Sequence, residues 1–177
     1  MSPAEELRYL ILAAQREGNR RLTESLRPLG VTPSQAEVLR ILQHHAPLPL
    51  IGLGELLICE TGSPSRLVGG LVEAGLVERT PSARDKRMIT LRLSVEGRAV
   101  AAQVAAIEAR LHESITATLS EERIAELLPE LRMLIAETAS SRAMKKRADN
   151  TRGTRSGVGP PPTGVDEIGG QGEQAEA

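Results

Sequence analysis

The sequence predicts a mainly α-helical fold carrying one small β-wing, and three observations point to it. Apolar residues recur at intervals of three and four through most of the first 140 positions, the spacing of a single helix face. Two stretches alternate instead, residues 76–80 and 88–93, on either side of a polar loop with a basic tip, as a hairpin would. Helix-start signals with proline at the first helical position occur at Ser2-Pro3 and Thr32-Pro33, and Ser63-Pro64 has the same form.

In chain order, Ser2-Pro3-Ala4-Glu5-Glu6 starts a helix, with Ser2 as cap and acids in the first turn. Leu7, Leu10, Ile11 and Ala14 form a stripe that resumes at Leu22 and Leu26. The polar stretch between them suits a helix that bridges surfaces, and Pro28-Leu29-Gly30 ends it. Thr32-Pro33-Ser34-Gln35 is a capping box: Thr32 accepts from the Gln35 amide while the Gln35 side chain reaches back. That helix runs through Val38, Leu39, Ile41 and Leu42 and breaks at Pro47. A short extended piece follows at 48–50, then a short helix over 51–57 weakened by Gly52 and Gly54, then a turn at 58–60.

The next helix starts at Thr61 or Ser63 and ends at Ala74, capped by Gly75. Leu67, Val68, Leu71 and Val72 face inward; Ser63, Ser65, Arg66, Gly69 and Gly70 are left facing outward. Beyond the hairpin, residues 94–97 turn the chain into a long helix with the stripe Val100, Val104, Ile107, Leu111, Ile115 and Leu119. Ser120 caps a further helix bearing Ile124, Leu127, Leu128, Leu131, Leu134 and Ile135, in which the interior Pro129 predicts a kink.

Composition narrows the function. The 177 residues are 40% apolar, yet they include no Phe, no Trp and a single Tyr, Tyr9. That excludes the aromatic platform on which unspecific single-strand binders stack bases. A net charge of −1 means that nucleic-acid binding has to rest on local charge. The lone cysteine, Cys59, excludes an internal disulfide framework and suits a reducing compartment. The first six residues lack a secretory pattern and the apolar runs are too short for a membrane span, so the expected localisation is cytoplasmic.

Short helix, tight turn, second helix and hairpin together make a winged helix-turn-helix over 32–98. Helices at 3–28 and 97–140 flank it, and residues 1–140 form one domain. The tail 141–177 is basic, then Gly/Pro-rich and acidic, and its lack of large apolar residues predicts disorder. The chemistry of the unit suits double-stranded DNA. Thr61, Ser63 and Ser65 offer hydroxyls to phosphates or bases, and Arg66 can fork onto guanine or clamp a phosphate. Arg84, Lys86 and Arg87 at the wing tip suit a narrow minor groove. Asp85, odd beside phosphates, has a use if it pairs with Arg87 and fixes its orientation.

Arg66-Leu67-Val68, Leu71, Gly75-Leu76-Val77, Arg79, the Asp85-x-Arg87 pair and Leu93-Ser94-Val95-Glu96-Gly97-Arg98 resemble the MarR family of bacterial transcription regulators. The resemblance covers about residues 5–139, and the Asp-x-Arg wing is its most specific part. It implies a homodimer, more often repressor than activator, on a pseudo-palindromic operator. It also implies dimerisation through the first and last two helices, with Arg87 as the minor-groove arginine and Asp85 as its orienting partner. A small-molecule effector, bound between the dimer helices and the DNA-binding lobe, is a further implied partner.

Cys59 is the redox candidate, against the plainer reading of a small core hydrophobe. His44, His45 and His112 make a poor metal set, because adjacent histidines at a helix end rarely point the same way. Arg8 and Tyr9 are weak candidates for holding a phenolic ligand. The basic run 142–155 is either a solvated tail or a sequence-independent phosphate contact. The chain has no phosphate-binding glycine loop, metal-ligand spacing or nucleophile with a base, so no enzyme and no cofactor are expected. Two other classes compete with an effector-released regulator: a winged-helix protein-interaction module, and a thiol-based redox regulator acting through Cys59.

Overall fold

The structure, a computed structural model, describes residues 1–58, 63–82 and 88–155. Its order is α1 (Pro3–Leu26), a 3-10 turn (Arg27–Leu29), α2 (Pro33–His45), β1 (Leu48–Pro49), α3 (Leu50–Gly54), α4 (Pro64–Glu73), β2 (Val77–Pro81), β3 (Ile89–Leu93), α5 (Val95–Thr118), α6 (Glu121–Leu134) and α7 (Ala139–Arg155).

The predicted caps are in place. Ser2 with Glu5 and Thr32 with Gln35 close reciprocal capping boxes. Ser94 and Ser120 accept backbone amides at the starts of α5 and α6. The polar middle of α1 is held by its own ion pairs: Glu17 accepts from Arg20 and Arg21, and Arg20 also reaches Glu24. Those hydrogen bonds, Arg20's first, hold the Glu17 carboxyl down at about 2.

The core joins α2, α4, the sheet and the first half of α5 to the end of α1. Leu26, Leu39, Leu42, Leu53, Leu71 and Leu91 are all fully buried in it. Each contributes about 1.5–3 kcal/mol relative to an exposed side chain. Arg40 of α2 bonds Glu108 of α5 at 2.8 Å on its border. The sheet has three strands rather than the two of the expected wing: Leu48 pairs with Leu91 and Pro49 with Thr90, giving the order β1-β3-β2. The extended piece read at 48–50 is therefore an edge strand, held by a partner some forty residues on.

Burial fades along α5. Ala101 and Val104 are fully buried, whereas Ile115 and Leu119 are exposed. The stripes of α1 and α6 behave like this distal end, with Leu7, Leu10, Ile11, Leu127, Leu128 and Leu131 all exposed. The α6 helix continues through Pro129.

Of the disorder expected over 141–177, residues 141–155 depart from it, and residues 156–177 lie outside the described residues. Residues Ala139–Arg155 form α7, started by the Ser141 amide on Thr138 Oγ1 at 3.2 Å and touching down through the buried Ala143. Composition misled because good helix formers fill the segment and directed polar bonds, not an apolar face, dock it.

At the junction of α4, β3 and α5, the Schellman bonds Leu76 N–H to Leu71 O (2.9 Å) and Gly75 N–H to Val72 O (3.0 Å) end α4 over the left-handed Gly75. Ser94 donates its amide to Leu76 O at 3.1 Å and its hydroxyl to Gly75 O at 2.7 Å. Gly97 passes so close that a Cβ there would lie 1.9 Å from Leu76 O. Gly97→Ala is expected to destabilise the chain by about 2–3 kcal/mol, the cost of overpacking against fixed backbone, with no loss on that scale for Ala at neighbouring exposed Val95; urea unfolding measures both.

Burial holds both His44 and His45 below the ordinary 6.5, with Arg40 adding to the effect on His44 and His44 and Arg147 adding on His45. As pH falls through 6.5 the unfolded chain gains protons that the native imidazoles still resist. Stability then declines, and levels off once the native histidines protonate too. Urea unfolding on either side of that pH should show the decline, and the double variant His44→Gln, His45→Gln should show less of it.

Candidate nucleic-acid interface

Helix α4 is short because Ser63-Pro64 starts it and Gly75 stops it within three turns. Val68 and Leu71 bury one face, which points the opposite face outward. The Ser63 carbonyl accepts the Arg66 and Leu67 amides at 2.9 and 3.2 Å, while its hydroxyl makes no capping bond. Ser63, Ser65 and Arg66 are all exposed on this first turn. The structure therefore brings together those three of the expected contact residues.

The two glycines of the second turn differ. A Cβ on Gly69 would meet nothing within 4 Å, so that position is open. A Cβ on Gly70 would meet Gln35 Nε2 at 3.5 Å, so Gly70 lies against α2 and not on the outer face as expected. The Gln35 side chain is committed there because it also closes the α2 capping box.

Sequence reasoning missed the neighbourhood of Arg66. A cleft of about 440 Å³ is lined by Asn19 of α1, Thr32 to Gln35 at the start of α2, and Arg66 and Leu67 of α4. Two helix N-termini and a guanidinium thus share one face, an arrangement that favours phosphate through the positive ends of two helix dipoles and the Arg66 charge. The capping box predicted where α2 begins, but nothing local places that start beside Arg66.

Strands β2 and β3 pair from Val77↔Leu93 to Pro81↔Ile89, and the Ser82 amide reaches Met88 O at 2.7 Å. Glu78 stands opposite Arg92. Arg84, Asp85, Lys86 and Arg87 lie outside the described residues, as do Cys59 and Thr61.

The remaining candidates gather no site. His44 and His45 rings are 6.2 Å apart and tilted, and among the described residues no group of three or more His, Cys, Asp or Glu is placed to hold a metal. The Arg8 guanidinium sits 4.2 Å over the Tyr9 ring, a contact between neighbours on an exposed face. Neither lines the crevice of about 300 Å³ between α1 and α5, whose walls are Arg21, Leu22, Glu24, Ser25, Ile107, Arg110 and Leu111. No helix among the described residues is long and apolar enough to cross a membrane.

Comparisons with known proteins agree with this geometry. The model of the MarR family matches residues 31–89. The multiple antibiotic resistance protein MarR of Escherichia coli is 31% identical over 119 residues, covering 67% of this chain and 83% of that protein. The HTH-type transcriptional repressor MdtR of Bacillus subtilis is 32% identical over 76 residues, 43% of this chain and 49% of its own length. Among solved structures, a cysteine-to-serine mutant of E. coli MarR complexed with operator DNA aligns with a TM-score of 0.65 at 30% identity, over 73% of this chain and 94% of that one. The organohalide-sensing regulator RdhR-CbdbA1625 shares the fold at 21% identity and a TM-score of 0.68, over 78% of this chain and 83% of that one. Helix-turn-helix, hairpin wing and flanking helices, with relatives of this likeness, make the chain a member of the MarR family of winged-helix transcription regulators.

Proposed function

We propose that the chain is a homodimeric repressor that binds a pseudo-palindromic operator and is released by a small-molecule effector. The observation that carries the DNA part is the exposed first turn of α4, where Ser63, Ser65 and Arg66 stand free of the core beside the start of α2. A helix N-terminus offered in this way suits the major groove. The wing Arg84-Asp85-Lys86-Arg87 is assigned to the flanking minor groove, with Arg87 inserted and Asp85 orienting it; Thr61 joins the hydroxyls of the recognition face.

Homodimerisation is supported by the apolar residues that the chain leaves exposed on α1, α5 and α6. Unburied helix stripes of this extent mark an interface, and a second copy presents the same stripes in return. Repression is supported by the kinship with MdtR, which is named a transcriptional repressor. The crevice between α1 and α5 combines Arg21 and Arg110 with aliphatic walls, a chemistry suited to a small organic anion.

Selection of duplexes from a random pool by the purified protein should enrich a palindromic consensus bound by two protomers. A pool that stays random would remove the DNA reading altogether. On the enriched duplex, Arg66→Ala is expected to bind about 5- to 150-fold more weakly and to relax preference at one position of each half-site.

Gly69→Ala tests how close the DNA comes. The open space around Gly69 predicts a gain of about 0.8–1 kcal/mol in stability from helix propensity. Binding to the enriched duplex should weaken at the same time, because the added methyl stands on the reading face. Unchanged affinity would take Gly69 off the contact surface.

A further inference from the structure

We infer that Arg147 of α7 is a positioning residue for DNA reading, which holds the turn leading into the recognition helix; this rests on the DNA-binding reading above. The turn follows α3, and its backbone is gripped at two points. Arg147 Nε donates to Leu56 O at 2.7 Å, and the Ile58 amide donates to Glu37 Oε1 at 2.9 Å. A second guanidinium nitrogen of Arg147 donates to that same Glu37 oxygen. One guanidinium from α7 and one carboxylate from α2 thus fix a carbonyl and an amide two residues apart. Ser63, at the N-cap position of α4, lies five residues beyond Ile58.

The arrangement is more than a surface ion pair. Glu37 is only 11% exposed and Arg147 31%. The planar fork of Arg147 serves a carbonyl and a carboxylate from two separate nitrogens in a fixed geometry, which the single rotatable ammonium of a lysine does not reproduce. Lys146 adds a second strut, 2.7 Å from Glu55 at the end of α3, and Ala143 is the buried footprint between helix and body.

Two further observations separate positioning from general stabilisation. The apolar core closes among α1 to α5 and the sheet with no α7 side chain in it, so loosening Arg147 leaves the core intact. The bonds also go to backbone of the segment that precedes α4 in the chain, at Leu56 and Ile58, and not to the core. Arg147 points into the protein, so the basic run 142–155 does not spend this cation on phosphate.

The test uses the full-length protein, the enriched duplex and a scrambled duplex of equal length, across a salt series. Arg147→Ala should bind the enriched duplex about tenfold more weakly, with affinity for the scrambled duplex and the salt slope nearly unchanged at temperatures where the variant is folded; its melting temperature falls, because the Glu37 carboxylate loses its cation. Arg147→Lys should fall between it and wild type. Glu37→Ala combined with Arg147→Ala should be no worse than the more affected single variant, as groups acting through one turn require. Faster amide exchange at Ile58 in Arg147→Ala would show the freed turn directly.

Wild-type affinity in Arg147→Ala overturns the inference. So does equal loss on both duplexes with a flatter salt slope, which would make Arg147 a phosphate contact. If Arg147→Ala does not fold, the Lys variant decides: full wild-type affinity there overturns the fork. Wild-type protein that enriches no duplex sinks the DNA reading itself, and the inference with it; an enriched duplex with indifferent variants sinks the inference alone.

Discussion

Three chain reversals meet at Ser94, and the rest of the molecule depends on that meeting. The Ser94 hydroxyl bonds Gly75 O at 2.7 Å and receives the Gly97 amide at 2.8 Å, while its own amide bonds Leu76 O. The end of α4, the end of the hairpin and the start of α5 therefore move as one piece. Helix α5 then extends 24 residues, about 36 Å at the rise of an α-helix. A small rotation of the recognition helix must appear as a larger displacement at the far end of α5, where Ile115 and Leu119 are exposed. In the effector-released regulator proposed above, this lever, rigid at its pivot and unburied at its tip, would carry movement between the recognition helix and the dimer contacts.

What was legible in the sequence was what is decided locally. Caps are three-residue matters, and Thr32 with Gln35 or Ser2 with Glu5 can be read without knowing anything else about the fold. The strand alternation and Gly75 gave the hairpin and its approach for the same reason. The third strand was legible only as an extended piece at 48–50: its pairing with Leu91 and Thr90, some forty residues on, leaves no local signal. The tail failed through a related blind spot. A segment poor in large apolar side chains reads as unable to fold, but α7 is held by a guanidinium and a few hydrogen bonds to groups some 90 to 110 residues away.

The candidate interface divides along the same line. Ser63, Ser65 and Arg66 were readable because a helix start and its periodicity place them on the outer face. That Gly70 turns toward Gln35, and that Asn19 and the start of α2 stand beside Arg66, depend on how α2 crosses α4. The crossing is set by the buried Val38, Leu42, Val68 and Leu71. Core packing, invisible to a linear reading, thus decides which polar groups become neighbours.

The unburied leucines of α1 and α6 carry a consequence for the cell. A single chain completes its winged-helix lobe but leaves its distal helices without a core of their own. In the homodimer proposed above, the missing core is supplied by mass action, so the functional species forms as the square of chain concentration. Halving synthesis then removes more than half of the active regulator while dimerisation is unsaturated. Regulation of its own abundance would be felt at DNA more steeply than the number of chains suggests, and orphan chains would expose the sticky surface that chaperones and proteases recognise.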